Sequence, residues 1–387
     1  LDAFIISFAQ DTNGQNARFV RAAEKYGVDV IRSFAIGSDD PAGVVARLQA
    51  AANKGEALRI RSAHRVTHYF EFPNDIVWTP MTEPFIKELL RKADVVHLNN
   101  SFRAVSRFHI NKPMLLHHHG SMFRNNAVNM LGVAKHHKMA QAVSTVDLMK
   151  PAPDVLRWLP SAYDIDELQR IGKANRREPD GRVRIVHAPT NRALKHTDLF
   201  LSIVQKLQWD GYPIDVVIVE GKTNAETLVE KAKADIVYDQ IAFGYGCNGI
   251  EAWGLGVPVI AGGEPWTLHK MRDMWGALPF AEADERSLAT VTEDLIASAS
   301  MRAEYAERGL AHVRKYHDER PALSILLELY HEAMTRHHRP RIQGKGVMFQ
   351  YANKKPQVVT DVQEVARLRV QAKARPKFVK ELEEETA

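Results

Sequence analysis

Three groups of residues have types and spacings suited to chemistry. The first is the stretch from Asp239 to Gly263, D-Q-I-A-F-G-Y-G-C-N-G-I-E-A-W-G-L-G-V-P-V-I-A-G-G. Gly244, Gly246 and Gly249 lack a Cβ and tolerate positive φ, so the turn they build with Tyr245 and Asn248 can close on an anion. The helix expected after it turns free N–H groups and a positive dipole end to the same place, which suits phosphate. Glu251, expected in the first turn of that helix, offers a carboxylate to vicinal ribose hydroxyls. The second group is H-A-P-T-N-R-A-L-K-H-T from His187, at the end of an expected strand. Ligands collect at such strand ends, where Arg192 would bring a planar fork and Lys195 a point charge to a diphosphate. The third is P-M-L-L-H-H-H-G-S-M-F-R, running from Pro113 to Arg124. A histidine there suits acid–base work or a hydrogen bond to a sugar, and His119 is the best placed of the three. Neighbours on a strand point to opposite faces, so His117, His118 and His119 do not readily share one metal ion.

Gly244 to Gly249 is also a literal G-x-G-x-x-G, the signal of a dinucleotide site. It comes late in its domain rather than at the first strand–helix turn, and Gly254 and Gly256 close its helix early. No strand-end carboxylate follows at about 20 residues, as ribose binding by that motif requires. A nicotinamide or flavin reading is therefore the weaker one.

The surrounding pattern alternates strands and helices. Strands are expected over 3–9, 28–31, 94–98, 113–117 and 142–144. Helices are expected up to a Gly27 stop, from Asp40-Pro41 through 52, and over 83–93 with Thr82 as its cap. Asp11 to Gly14 reads as a polar turn after the first strand, with Gly14 a further donor-side candidate. The polar, Gly- and Pro-containing stretch 161–182 reads as a domain boundary. A second series follows: strands over 182–187, 215–219, 235–238 and 257–261, and helices capped by Thr197, over 225–234, and from 285 to about 336 with breaks near Ala299 and at Pro321. This alternation implies an α/β fold of two Rossmann-like domains facing across a cleft. Their limits are 1–165, a linker 166–182, 183–336 with closing helices, and a C-terminal extension 337–387.

Bulk properties narrow the class. At 387 residues, 45% apolar and 26% charged, the chain suits a soluble two-domain enzyme. A single cysteine, Cys247, excludes an internal disulfide framework and a cysteine zinc site, and points to a reducing cytoplasm. The apolar opening is too short for a signal peptide or a membrane span, and reads as a buried strand. The net charge of +5 resides in the extension: residues 337–387 hold 11 Lys/Arg against 6 Asp/Glu, leaving 41 of each elsewhere. That basic segment, through about residue 380, reads as a solvated extension or as a contact for an acidic partner such as an anionic membrane surface.

Four blocks resemble the retaining glycosyltransferases of family 4, which have the GT-B fold. H-A-P-T-N-R-A-L-K-H-T-D is similar to the family's phosphate-binding turn ending K-G-T-D, with His196 in place of the glycine. The Asp239 stretch is similar to the donor block ending E-A-M-A-x-G-x-P-V-I, and A-D-V-V-H-L-N-N and H-H-G-S-M-F-R resemble D-V-V-H-x-H and H-G-S-D-x-R. The likeness covers roughly residues 1–335. It implies that Glu251 binds the nucleotide ribose, Arg192 and Lys195 the diphosphate, and the Gly244–Gly249 turn the donor sugar and phosphates. It places His119, Gly120, Ser121 and Arg124 on the acceptor side. The family's E-x7-E motif is broken, because Phe243 stands where the first Glu belongs, with Asp239 or Gln240 as candidates for its contact. The implied activity is metal-free transfer, with retention, from a UDP- or GDP-sugar to an acceptor hydroxyl on a glycan, lipid, protein or modified nucleic acid. The nucleotide sugar is a co-substrate; no bound cofactor is implied. The alternatives are a binding protein on a degenerate transferase fold and a sugar-nucleotide epimerase.

Overall fold

The structure, a computed structural model, describes residues 3–8, 15–27, 30–35, 58–62, 65–70, 76–77, 83–100 and 102–337. The turn with Gly14, the helix from Asp40, the Thr82 cap and the extension beyond residue 337 lie outside the described residues. The described chain forms two compact units. One holds the described residues up to Ser144, Pro151–Ala162 and the described chain from Glu319 to His337; the other holds Thr145–Lys150 and Tyr163–Asp318.

The first unit contains β1 (Ala3–Phe8), α1 (Gln15–Lys25), β2 (Val30–Ala35), β3 (Leu58–Ser62), β4 (Arg65–Phe70), β5 (Ile76–Val77), α2 (Glu83–Lys92) and β6 (Val95–Asn99). It continues with α3 (Arg103–Phe108), β7 (Met114–His118), α4 (Gly120–His136), β8 (Ala140–Val143) and β9 (Arg157–Trp158). Seven strands run parallel in the order β5-β2-β1-β6-β7-β8-β9, and β3 and β4 pair antiparallel apart from them. β6 and β7 are buried at every position, as expected of strands in a parallel sheet covered on both faces. Helix Glu319–Arg336 belongs to this unit rather than closing the second domain. Its Ala322, Leu323, Leu326, Leu329 and Tyr330 share a core with Phe19, Val95, Leu115 and Leu159. Pro321 does not break that helix: it sits in the first turn, where no backbone N–H is required.

The second unit contains α5 (Ile165–Asn175), β10 (Val183–His187), α6 (Thr197–Trp209), β11 (Ile214–Ile218), α7 (Asn224–Ala232), β12 (Ile236–Gln240), β13 (Phe243–Gly244) and α8 (Cys247–Gly254). Then come β14 (Val259–Gly263), α9 (Pro265–Trp275), β15 (Ala281–Glu282), α10 (Leu288–Ala297) and α11 (Ala299–Tyr316). β11-β10-β12-β14 run parallel, with β15 parallel and β13 antiparallel to β14. The strand order reverses between β10 and β12, which makes the carboxyl ends of these two strands the favoured ligand position.

The polar stretch expected as a linker is largely the helix α5. Asp164 caps it by accepting from the Glu167 amide at 2.8 Å, and Ile165, Leu168 and Gly172 face inward. Gly172 has no Cβ because one would stand 2.4 Å from the Leu255 carbonyl oxygen, and Gly254 meets Leu168 equally closely. The charged side chains that suggested a linker are the solvent face of an amphipathic helix. Among the described residues no helix is long and apolar enough to cross a membrane.

Glycine also sets the contact between α11 and α8. A Cβ on Gly309 would lie 1.9 Å from Trp253 Cδ1, and Trp253 is fully buried. Gly309→Ala is expected to lower unfolding free energy by about 2 kcal/mol or more through overpacking. Urea denaturation of the two proteins checks this, and Gly132→Ala, on the exposed face of α4 with nothing within 4 Å of the new Cβ, is the control for a glycine replaced without crowding.

Candidate functional site

β10 and β12 end side by side, and the sequence places the cationic loop after one and the glycine turn after the other. Asp239, near the end of β12, is completely buried. Its Oδ1 accepts from Lys195 Nζ at 2.5 Å and its Oδ2 from the Gly246 amide at 2.7 Å. Burial pushes the Asp239 pKa up, but the charge and hydrogen bond of Lys195, the Gly246 amide and the charge of Lys231 together bring it below the usual carboxylate value. The Tyr238 hydroxyl donates to the Lys195 carbonyl at 2.9 Å and anchors the loop from its backbone.

Gln240 braces the turn itself. Its amide nitrogen donates to the Gly244 carbonyl, and its oxygen accepts from the amides of Ala242 and Phe243. Of the three glycines, Gly244 alone has positive φ, at 89°, and a Cβ there would stand 2.2 Å from Met271 Cε. Gly246 is extended and caps α8, and Gly249 is helical, where a Cβ would stand 3.3 Å from Tyr245 Cβ and 3.5 Å from Asp239 Oδ2. Neither is a glycine for backbone handedness; Gly249 is packed tightly, while a Cβ on Gly246 would meet Asp239 Oδ2 only at an ordinary 3.8 Å. The amides of Cys247 and Asn248, in the first turn of α8, have no carbonyl behind them in the helix. Tyr245 turns inward, its hydroxyl bonded to His312 Nε2 at 2.8 Å and to His317 Nε2 at 2.9 Å.

Glu251 lies beyond the first turn of α8, because the helix begins at Cys247. Lys231 Nζ reaches its Oε2 at 2.6 Å, and Asn224 Nδ2 reaches its Oε1 at 3.1 Å. Lys231 also donates to Asn248 Oδ1 at 2.6 Å, and Asn248 Nδ2 donates to the Ala188 carbonyl at 2.7 Å. The sequence reading missed Lys231 and Asn224. Their only signal was a lysine and an asparagine seven residues apart, two turns of one helical face. Arg192 forks onto Glu220, with Nε and Nη2 at 2.9 and 2.8 Å from its two oxygens. Both groups are about half exposed, so this pair is easily exchanged for a stronger anion.

His196, and not Thr197, is the N-cap of α6. It holds φ 50° and ψ 39°, the left-handed conformation that glycine adopts without strain. Thr197 is instead buried, its hydroxyl bonded to His187 Nε2 at 2.8 Å.

In the first unit the strand–helix junction after β7 is immediate, with His119 as the N-cap of α4 and Gly120 as its first residue. Ser121 is exposed and Arg124 half-buried on the helix that follows. His117 and His119 share one side of the strand, with ring centroids 4.0 Å apart. His118 takes the other side, stacked on Phe123 and bonded to Gln141 at 3.0 Å. His119 Nε2 contacts Asn99 Oδ1 at 2.8 Å, which puts the ring proton on Nε2, and its backbone amide donates to Asn100 Oδ1. Nδ1 is then an acceptor without a partner among the described residues. Burial lowers His97 and His119 to about 3 and His118 to about 4, so these rings are neutral near pH 7. His119 is thus suited to a hydrogen bond rather than to giving up a proton.

No family model matches the chain, and no curated protein matches it. Solved structures do. A glycosyltransferase from Rickettsia africae superimposes with a TM-score of 0.52 at 12% identity, over 86% of this chain and 98% of that one. A sucrose-phosphate synthase from Thermosynechococcus elongatus gives 0.54 at 15% identity, over 86% and 99%. Anabaena HepE, solved in complex with UDP, gives 0.54 at 12% identity, over 85% and 99%. The chain has the GT-B fold of such glycosyltransferases.

Two outcomes follow from this geometry. The folded chain binds fewer protons than the unfolded one between about pH 6.5 and 4, because His97, His118 and His119 stay neutral there. Stability is therefore complete above about pH 6.5 and falls as pH drops through that window, by up to about 1.4 kcal/mol per pH unit per group. Urea midpoints measured from pH 7.5 to 4.5 check this, and a flat profile would contradict the burial. Independently, His196→Gly is expected to add roughly 0.5–1 kcal/mol of stability by relieving a left-handed residue, read as a higher melting temperature.

Proposed function

We propose that this chain is a glycosyltransferase that uses a nucleoside-diphosphate sugar. The observation that carries the reading is the arrangement at the ends of β10 and β12. There a cation on a buried carboxylate, a glycine-capped helix N-terminus and a braced glutamate occupy one edge of a GT-B fold. Arg192 and Lys195 would hold the diphosphate, Glu251 the ribose diol, and the Gly244–Gly249 turn with the first turn of α8 the donor phosphates and sugar. Lys195 has three donors and can keep Asp239 while binding phosphate oxygens. Arg192 would exchange Glu220 for phosphate.

The chemistry would be displacement at the anomeric carbon. The bond from that carbon to the diphosphate oxygen breaks as the acceptor hydroxyl forms a new one on the same face, giving retention, and its proton passes to the departing phosphate oxygen. The cations and helix N-terminus would stabilise the charge that grows on the leaving diphosphate, without a metal. His119, Gly120, Ser121 and Arg124 would serve the acceptor side, with His119 as a hydrogen-bond acceptor through Nδ1. The single cysteine, half-buried in α8, suits a reducing cytoplasm.

A second reading, nucleotide binding without transfer, is favoured by Phe243 in place of the glutamate of E-x7-E. Asp239 and Gln240, its two candidate replacements, are both engaged in internal hydrogen bonds.

Thermal stabilisation by UDP, GDP, ADP, CMP, NAD and NADP tests the first step. One nucleoside diphosphate is expected to stabilise the protein selectively, by about 2.7 kcal/mol at a hundredfold excess over its Kd. Glu251→Ala is expected to cut that stabilisation to about half or less at the same ligand concentration. A response to NAD or NADP alone would overturn the proposal. Binding of the diphosphate with no hydrolysis or transfer of its sugar, across an acceptor panel, would favour the second reading.

A further inference from the structure

Lys231 is among the largest fully buried side chains, and Glu251 beside it is 5% exposed. Among the described ion pairs this is the one in which both partners are buried below a tenth. Burying an ammonium group is costly, and a buried ion pair seldom stabilises a fold better than apolar residues of the same size. Stability alone is therefore a poor reason for Lys231; a requirement for exact orientation at its partner is a better one.

The geometry shows what would be oriented. α7 grips the Glu251 carboxylate from two places on one face: Asn224, at its first residue, holds Oε1, and Lys231, in its last turn, holds Oε2. Lysine side chains on a helix lean toward its N-terminus, which brings the Nζ back toward the asparagine. The same Nζ donates to Asn248, one turn before Glu251 on α8. Asn248 in turn donates to the carbonyl of Ala188, where the loop bearing Arg192 and Lys195 begins. A single buried ammonium thus ties the carboxylate on α8 to the loop after β10. A fixed carboxylate can accept from two adjacent hydroxyls at once, while one free to rotate spreads its lone pairs over many orientations.

We propose that Lys231 is a positioning residue for the recognition of the ribose diol. It holds Glu251 at the angle that accepts both hydroxyls and, through Asn248, keeps that carboxylate in register with the diphosphate loop. The proposal rests on Glu251 as the ribose ligand. Lys231 itself touches no substrate. Its removal should cost selectivity for the diol, and should leave the phosphate contacts made by the loop cations nearly intact.

Calorimetric titration of the full chain with UDP and GDP, each beside its 2′,3′-dideoxy form, separates these effects. For the nucleotide that binds, the wild type should prefer the ribose form about tenfold or more, as expected of hydrogen bonds to a charged group. In Lys231→Met that ratio should fall to about one to two, with the dideoxy affinity changed by less than about threefold. Equal weakening of both forms would mean a merely structural lysine, and an unchanged ratio would mean that Glu251 needs no support; either overturns the proposal. Should Lys231→Met fail to fold, Asn248→Ala leaves the ion pair in place and cuts its tie to Ala188. A drop in the ratio of about threefold or more then supports the proposal, and an unchanged ratio overturns it. A wild type that binds both forms equally, or neither, would instead sink the ribose role of Glu251 and with it the reading of the site.

Discussion

The carboxylate of Asp239 is the point on which the second unit's site depends. A charge taken fully out of water must be paired or it will not stay charged. Asp239 is paired twice, by the ammonium of Lys195 and by the amide of Gly246. That double bond-making joins the loop after β10, 44 positions away in the chain, to the end of β12 and the nearby cap of α8. Remove the carboxylate and the ammonium of Lys195 loses its partner, leaving the loop held only at its backbone by Tyr238, while the helix N-terminus loses the group that fixes its entry. The lowered pKa of Asp239 records the same fact: its partners outweigh the burial that opposes its charge.

Around that point the packing leaves little slack. Gln240 fastens the turn at three backbone groups, and Met271 closes over Gly244. Tyr245, instead of facing a ligand, is a buried post held by His312 and His317 under α8. α8 is further wedged by Gly309 on one side and α5 on another, with glycines wherever backbone or ring comes within contact distance. A short helix of eight residues has little stability of its own, and these contacts keep its first turn in place. The first unit solves a different problem. His118 and His119, at the end of β7, are neutral near pH 7 because they are buried, so they are available as hydrogen-bonding rings and unavailable as titrating acids.

Much of this was legible in the chain. The alternation of apolar strands and helical spacing located nine strands to within a few residues, because buried parallel strands are continuous apolar runs. It missed β3, β4, β5, β9, β13 and β15, which are two-residue pieces or an antiparallel pair rich in polar residues. The opposite facing of His118 against His117 and His119 followed from strand geometry alone. The GT-B fold was implied by four short blocks. The errors have physical sources. The charged face of α5 was taken for a linker, because polarity without a view of the buried face does not separate helix from loop. Glu251 was placed one turn too early because the start of α8 depends on the extended conformation of Gly246. Thr197 was read as a cap on residue type, while the tertiary contact with His187 claimed its hydroxyl.

What the sequence by itself determined is the local grammar: the strongly apolar strands and most helices that alternate with them, where the glycines cluster, and which cations follow β10. These depend on side-chain type and spacing over one or two turns of chain. What only the tertiary structure decided is which charges meet. Lys195 with Asp239, Lys231 with Glu251 and Arg192 with Glu220 are 44, 20 and 28 positions apart. So too with the helix Glu319–Arg336, which returns to the first unit because its apolar face fits the core of β6, β7 and α1. Ion pairs and helix docking are set by the meeting of surfaces remote in sequence, and no local pattern encodes that meeting.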